Sequence, residues 1–222
     1  MNFSTKAIKY FTNLKTHKIK NPGIELINPY EKAGVKELVK NFYTKFYNDD
    51  KKRNFMIGIN PGRFGGGLTG IAFTDPVALR KNCGIENNLG NRKELSSKFI
   101  YTVAEIFGGA DMFFSRIFLT ALYPFAIIKD GKNYNYYDEK SLANTLKDEI
   151  VKTVNSQIEF GARKDFAILL GKKNAEHFFH INEKHKFFEK IFILEHPRYI
   201  MQYKLKQLDN YVKIYINTIN NN

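Results

Sequence analysis

Four short apolar runs, each followed by a segment rich in Gly or Pro, are the sequence feature that most constrains the fold. Strands that are apolar on both faces are typical of a parallel sheet covered on both sides. Amphipathic segments of helical length lie between these runs, and strands alternating with helices indicate an α/β sandwich. The four runs are Asn54–Ile59, Ile117–Thr120, Phe166–Leu170 and Ile191–Leu194. The candidate helices are Ser4–His17 (with Ser4 as the expected N-cap), Tyr30–Tyr47, Leu95–Phe107, Asp138–Phe160, Lys172–Phe179 and Met201–Ile219.

The length of the chain allows one compact domain, which we expect to span residues 1–222. The helices of about residues 1–50 are then expected to pack on the α/β core. No apolar run reaches the ~18 residues that a membrane helix needs, and residues 1–20 lack the apolar core of a signal peptide. A cytoplasmic, monomeric protein without a membrane partner is therefore expected. The single cysteine, Cys83, excludes an internal disulfide and, within a monomer, a four-cysteine metal site.

The charge of the chain favours a polyanionic partner. Lys and Arg number 35 against 22 Asp and Glu, which gives a net charge of +13. The excess is concentrated at the two ends, with 12 basic and 5 acidic side chains in residues 1–53 and 9 against 5 in residues 166–222. Such ends suit nucleic acid, because neutralised phosphates release counterions. A lysine-rich surface that serves only solubility is the alternative.

The loop after the first apolar run carries five glycines within residues 62–70. Glycine lets backbone N–H groups approach a ligand closely, although a flexible loop without a ligand is the alternative. Gly65, Gly67 and Gly70 match the G-x-G-x-x-G dinucleotide fingerprint, but that fingerprint needs a helix to open at once. Residues 70–76 are predicted to form a loop, which disfavours a dinucleotide site.

The segment Gly58–Gly65, followed by Thr69–Phe73, resembles the first motif of the single-strand-selective monofunctional (SMUG) family of uracil-DNA glycosylases. Glu195–Arg198 resembles the second motif of that family, and Asn28-Pro29 and Leu119–Pro124 resemble two of its other elements. The resemblance implies a three-layer sandwich with a central four-stranded parallel sheet. It also implies hydrolysis of the N-glycosidic bond of uracil or a related damaged base in DNA, without cofactor or metal. Neither motif holds the lysine that a Schiff-base mechanism needs, so a monofunctional enzyme is expected.

The resemblance also implies roles for individual residues. Asn60 would hold the attacking water or steady the sugar, and His196 would donate a hydrogen bond to the base carbonyl as charge develops there. Phe73 would stack on a base flipped out of the helix. Other residues expected to line the pocket are Ile59, Gly62, Phe64, Gly65 and Ala121. The candidates for DNA contact are Arg63, Lys172, Lys173, Arg198 and Tyr199.

Each role has a structural alternative. Asn60 could cap the glycine turn, His196 could bond to loop backbone, and Phe73 could belong to the core. Lys172 and Lys173 either meet phosphate or begin a solvated helix. A zinc site is disfavoured because no carboxylate or cysteine set completes the candidate histidines, which are His177, His180 and His185.

Two departures from the family pattern bear on specificity. Ala121 stands where the family has an asparagine that reads the pyrimidine, and Arg198 follows Pro197 without the usual Ser-Pro. Relaxed selectivity, with hypoxanthine or xanthine accepted beside uracil, is therefore expected. Two other readings are open: a catalytically silent DNA- or nucleotide-binding module that retains the fold, and an enzyme that acts on a free nucleoside or nucleotide.

Overall fold

The computed structural model describes residues 1–16 and 19–220. The predicted end of the first helix near His17, which lies outside the described residues, was wrong, because the helix already ends at Thr12. The strands of the described residues are β1 (Ile24–Ile27), β2 (Arg53–Gly58), β3 (Ile117–Ala121), β4 (Ala126–Lys129), β5 (Lys132–Tyr134), β6 (Ala162–Leu170) and β7 (Lys190–Leu194). Their α-helices are α1 (Phe3–Thr12), α2 (Ala33–Tyr47), α3 (Gly66–Thr69), α4 (Pro76–Lys81), α5 (Leu95–Ile106), α6 (Ala110–Arg116), α7 (Lys140–Ile158), α8 (Lys172–His185), α9 (Pro197–Tyr203) and α10 (Leu208–Asn220). Short 3-10 helices are Pro29–Glu31 and Leu205–Gln207.

The four predicted runs form one parallel sheet in the order β3-β2-β6-β7, flanked by helices. This confirms the α/β fold with a central four-stranded parallel sheet. Every residue of β2 and β3 is buried, as expected for strands covered on both faces. Because the strands are parallel, their carboxyl ends lie at one edge of the sheet, where ligands bind in α/β folds.

A second, antiparallel sheet in the order β1-β4-β5 was not predicted. Ile24 of β1 pairs with Lys129 of β4, and Lys129 pairs with Lys132 of β5. The strands are only three or four residues long, and of the three only β4 contains an apolar run, Ala126–Ile128. β1 contains Glu25, and Lys132 and Asn133 of β5 are exposed. The sheet matters because the chain around the end of β5 forms one wall of the candidate active site.

Several helix boundaries differ from the sequence prediction: α2 begins at Ala33 rather than Tyr30, and α8 extends to His185 rather than Phe179. Asn2 rather than Ser4 caps α1, because the Asn2 side chain accepts a hydrogen bond from the Thr5 N–H and leaves Ser4 buried inside the helix. The predicted helix Met201–Ile219 was wrong as a single element. The chain turns helical already at Pro197, a favoured first helical position, and breaks after α9 before α10 begins.

A fully buried arginine ties α2, β2 and α6 together. The Arg53 guanidinium donates to both carboxylate oxygens of Asp49, at 2.8 and 3.0 Å, and to the carbonyls of Phe46 and Lys51. Its Nε donates to the Phe114 carbonyl at 2.8 Å. A buried charge is costly unless it is paired and hydrogen-bonded. Here all three nitrogens of the Arg53 guanidinium donate hydrogen bonds. The N-terminal helices are thereby fixed to the sheet.

The N-terminal helices also share the apolar core of the sheet. Phe11 of α1 stacks on Tyr43 of α2 with 5.3 Å between ring centroids, and Phe3 packs edge-on against Phe118 of β3. Within residues 1–16 and 19–220, no helix has the length and apolar character that crossing a membrane requires.

Candidate active site

A pocket opens at the carboxyl edge of the parallel sheet and brings the two motifs together. Seven of the residues singled out in the sequence line it: Ile59, Asn60, Gly62, Phe73, Ala121, His196 and Arg198. The remaining lining residues of the described chain are Pro61, Ala72, Glu94, Ser96, Asn133, Tyr134 and Asn135. The first group comes from the segments after β2 and β7 and from the end of β3, as expected for a site at this edge.

Asn60 lies two residues beyond β2, and its side-chain amide is fixed by the chain that follows β5. Its Nδ2 donates to the Tyr134 carbonyl at 3.0 Å, and its Oδ1 accepts from the Tyr136 N–H at 3.1 Å. These bonds tie the amide to β5 and the segment after it, and a longer bond of 3.5 Å from Nδ2 to the Pro61 carbonyl also links it to the start of the glycine loop. An amide oxygen has two lone pairs, so Oδ1 can accept one further hydrogen bond, such as one from a water molecule.

His196 is the N-cap of α9, and this position decides which ring nitrogen carries the proton. Its Nδ1 accepts a hydrogen bond from the Arg198 N–H at 3.2 Å. A neutral imidazole that accepts at one nitrogen carries its proton on the other, so this bond assigns the proton to Nε2. Burial, with a further contribution from the Arg198 charge, lowers the pKa of His196 to about 4. The ring is therefore a neutral hydrogen-bond donor at neutral pH.

If His196 donates to a substrate base, as the sequence resemblance implies, its lowered pKa predicts the pH dependence of excision. The ring stays neutral above a pKa of about 4, so single-turnover excision should be nearly constant between about pH 8 and 6. The rate should fall only as the solution becomes acidic enough to protonate the ring. A pH profile at saturating enzyme measures this, and an inflection near the ordinary histidine value would contradict the assignment.

Phe73 presents its ring to the pocket at the cost of an unusual backbone conformation. Its φ is +54°, a left-handed value that is rare for a bulky residue and recurs at functional sites. The ring covers Gly58, where an added Cβ would overlap it, and its centroid lies 5.9 Å from that of His196. Phe73 is half-buried against the core and also lines the pocket. Its packing in the core is therefore compatible with the predicted stacking on a base.

Phe64, Gly65 and Arg63 belong to the glycine loop but are absent from the described lining of the pocket. The Phe64 ring lies 4.5 Å from the Arg63 guanidinium and 4.9 Å from that of Arg92. The Arg63 guanidinium also donates to the Gly131 carbonyl in the turn between β4 and β5. Arg63 therefore braces that turn while keeping its positive charge beside the pocket.

The other candidates for DNA contact lie on the helices that follow β6 and β7. Lys172, the first residue of α8, forms an ion pair with Glu195 at 3.2 Å. The Lys173 Nζ lies 4.8 Å from the centroid of the Tyr137 ring. Tyr199 is exposed on α9, where its ring packs against that of Tyr203. Each of the three side chains retains solvent-facing surface.

Sequence reasoning missed several residues of the pocket. Glu94 precedes α5 in a segment without a recognisable motif, and no pattern in the sequence relates it to the glycine loop. Asn133–Asn135 belong to the unpredicted second sheet and its following turn. The resemblance to a known motif could find only the residues within that motif.

No group of three or more His, Cys, Asp or Glu side chains gathers closely enough among the described residues to hold a metal ion. The His177 ring instead stacks on Tyr137, with 5.3 Å between centroids and an angle of 4° between planes. His185 stacks in the same manner on Phe187.

Comparison with known proteins places this geometry in a family. The family model described as the uracil DNA glycosylase superfamily matches residues 44–220. The crystal structure of wild-type SMUG2 from Pedobacter heparinus is 38% identical, covers 98% of this chain and 97% of its own, and superposes with a TM-score of 0.93. A search of curated proteins finds no match. The extent of both matches, together with the pocket at the sheet edge, establishes that this chain belongs to the uracil DNA glycosylase superfamily.

Proposed function

We propose that this uracil DNA glycosylase, a hydrolase of base excision repair, uses Asn60 and His196 to cleave the N-glycosidic bond of a damaged base. The observation that carries the proposal is the meeting of both residues in one pocket, with His196 held as a neutral Nε2–H donor. The proposal includes a monofunctional mechanism and relaxed base selectivity. The proposal also includes a monomeric state and a cytoplasmic location.

The pocket supplies one group to each side of the breaking bond. As the bond from the sugar C1′ to the base nitrogen breaks, its electron pair moves onto the base, and the sugar becomes oxocarbenium-like. The His196 Nε2–H donates to a base carbonyl oxygen on which this negative charge accumulates. A water molecule that donates a hydrogen bond to the fixed Asn60 Oδ1 adds to C1′. It releases a proton to solvent or to the departing base. An abasic site and a free base result.

The base must leave the helical stack to reach these groups. Phe73 offers an aromatic surface against which a flipped base can stack, beside His196. The proposed contacts to the DNA backbone are Arg63, Lys172, Lys173, Arg198 and Tyr199. The position of Arg198 in the pocket supports this proposal. The other residues support it because they lie on the glycine loop, α8 and α9, which adjoin the pocket.

Salt should weaken DNA binding if these basic groups contact phosphates. We expect log K to fall by roughly 0.7 per tenfold rise in salt for each single-strand phosphate contacted. Fluorescence anisotropy with a labelled single-stranded oligonucleotide, titrated over a series of NaCl concentrations, gives the slope. Arg198→Ala should reduce the magnitude of that slope. An affinity that does not vary with salt would point instead to a free base or nucleoside as the ligand.

The function itself is tested with a panel of oligonucleotides that each carry one uracil, hypoxanthine or xanthine. Excision leaves an abasic site, which alkali converts to a strand break that a sizing gel resolves. Breaks that appear only after alkali support a monofunctional glycosylase. Binding without breaks for every lesion would favour the catalytically silent module, and breaks without alkali would indicate lyase chemistry.

A further inference from the structure

Glu94 is a pocket carboxylate that lies outside both motifs. It immediately precedes α5, and its N–H donates to the Asp75 Oδ2 at 2.9 Å. Asp75 in turn caps α4 through its Oδ1, and its own N–H donates to the Ser97 hydroxyl at 3.2 Å. The backbone of Glu94 is thus anchored at the junction of two helices, which fixes the direction in which its side chain extends.

The carboxylate of Glu94 lies within the curve of the glycine loop. The N–H groups of Phe64 and Gly65 face it and favour its ionised form, which lowers the pKa of the carboxyl group. An added Cβ at Gly62 would overlap Oε1, and one at Gly65 would overlap Oε2. The carboxylate therefore packs directly against two glycines of the loop, and a side chain at either position would displace it.

Charge also links Glu94 to the second motif. Burial raises the pKa of its carboxyl group, and the charge of Asp75 acts in the same direction. The Arg198 guanidinium and the two loop N–H groups oppose this effect by favouring the ionised form. Among the described residues that line the pocket, Glu94 is the only carboxylate, so Arg198 has no other acidic neighbour there.

We propose that Glu94 is a positioning residue for base excision, whose carboxylate holds the Gly62–Gly65 loop and Arg198 in the reactive arrangement. The inference rests on the proposed function and names a further residue of the same site. The loop begins two residues after Asn60, and the Arg198 N–H is the donor that orients His196. One side chain therefore lies in the same pocket as both groups proposed to act on the substrate, beside the loop that follows one of them and the arginine that follows the other. Small displacements of such groups slow a reaction strongly.

The test uses Glu94→Gln, which keeps the shape of the side chain but removes its charge and one acceptor oxygen. At saturating enzyme we expect its single-turnover rate on a uracil oligonucleotide to fall by on the order of 10- to 100-fold. The dissociation constant for DNA should stay close to that of the wild type. Glu105→Gln is the matched control, because it makes the same change at an exposed position of the same helix.

Thermal unfolding and a second variant separate positioning from a loss of structure. A slow Glu94→Gln whose Tm is unchanged supports the proposal. A rate equal to the wild type overturns it, as does a rate loss that follows a lowered Tm and disappears on cooling. If Glu94→Ala is slow while Glu94→Gln is not, the side chain only fills space, which also overturns it. Failure of the proposed function would look different, since the wild type would then excise no lesion.

Discussion

Asn60→Ala and His196→Ala are each expected to slow single-turnover excision by on the order of 10²-fold or more, the usual effect of removing one stabilising donor. Loss of His196 removes the only donor assigned to the departing base. Loss of Asn60 removes the acceptor for water, and also leaves the Tyr134 carbonyl and the Tyr136 N–H without their bonds to the amide. The rate should therefore fall in both variants, while binding of DNA, which depends on other side chains, changes little.

The measurement combines a quench-flow time course with an independent dissociation constant. His180→Ala and Asn217→Ala are the matched controls, because they delete the same side chains at exposed helical positions. Asn60→Asp is informative as well, since it keeps an acceptor but cannot donate to the Tyr134 carbonyl. A rate near that of the wild type in either alanine variant would remove that residue from the mechanism.

Ala121→Asn is expected to sharpen the preference for uracil over hypoxanthine. Ala121 is the last residue of β3 and lines the pocket, where it offers neither a donor nor an acceptor. A site that hydrogen-bonds its substrate rejects a wrong one because buried polar groups are then left unpaired. An asparagine adds both kinds of group. The ratio of uracil to hypoxanthine excision should rise by roughly 10-fold or more, within the range such pockets achieve.

The ratio of single-turnover rates on the two oligonucleotides measures this effect. Ala121→Leu is the appropriate control, because leucine has nearly the shape of asparagine without its amide, and so reports crowding alone. An unchanged ratio in Ala121→Asn would show that this position does not set the choice of base. Strict uracil specificity of the wild type would show the same, and would direct attention to the backbone of Ile59 and Gly62.

The fully buried strands of the parallel sheet could be predicted because burial on both faces requires a run of apolar residues, whereas in β7 only Leu194 is buried. β2 and β3 are continuous apolar runs for this reason. The catalytic candidates could be placed because each follows such a strand directly. The cap of α1 was misassigned because Asn2 and Ser4 both favour N-cap positions, and only the contact of Asn2 with Thr5 distinguishes them.

The remaining features depend on contacts between residues far apart in the chain. The bonds of Asn60 span 74 and 76 residues, and they require a second sheet whose strands are too short to recognise. Glu94 meets Gly62 and Gly65 only after α4 and α5 have packed together. Local sequence patterns do not reveal such contacts. The sequence could therefore predict the candidate catalytic residues, but not the residues that hold them in place.

The pairing of β1 with β4 reaches outside the segment that the family model matches, although the SMUG2 structure matches 98% of the chain. The family model begins at residue 44, whereas β1 comprises Ile24–Ile27. A minimal fragment cut at residue 44 would leave β4 with a bare backbone edge, and such edges recruit strands from other molecules and promote aggregation. The opposite edge of β4 carries β5, whose Tyr134 carbonyl holds Asn60. The first strand thus shields the hairpin that holds the amide of Asn60, the proposed catalytic residue, and we expect truncated or grafted versions of this enzyme to need it.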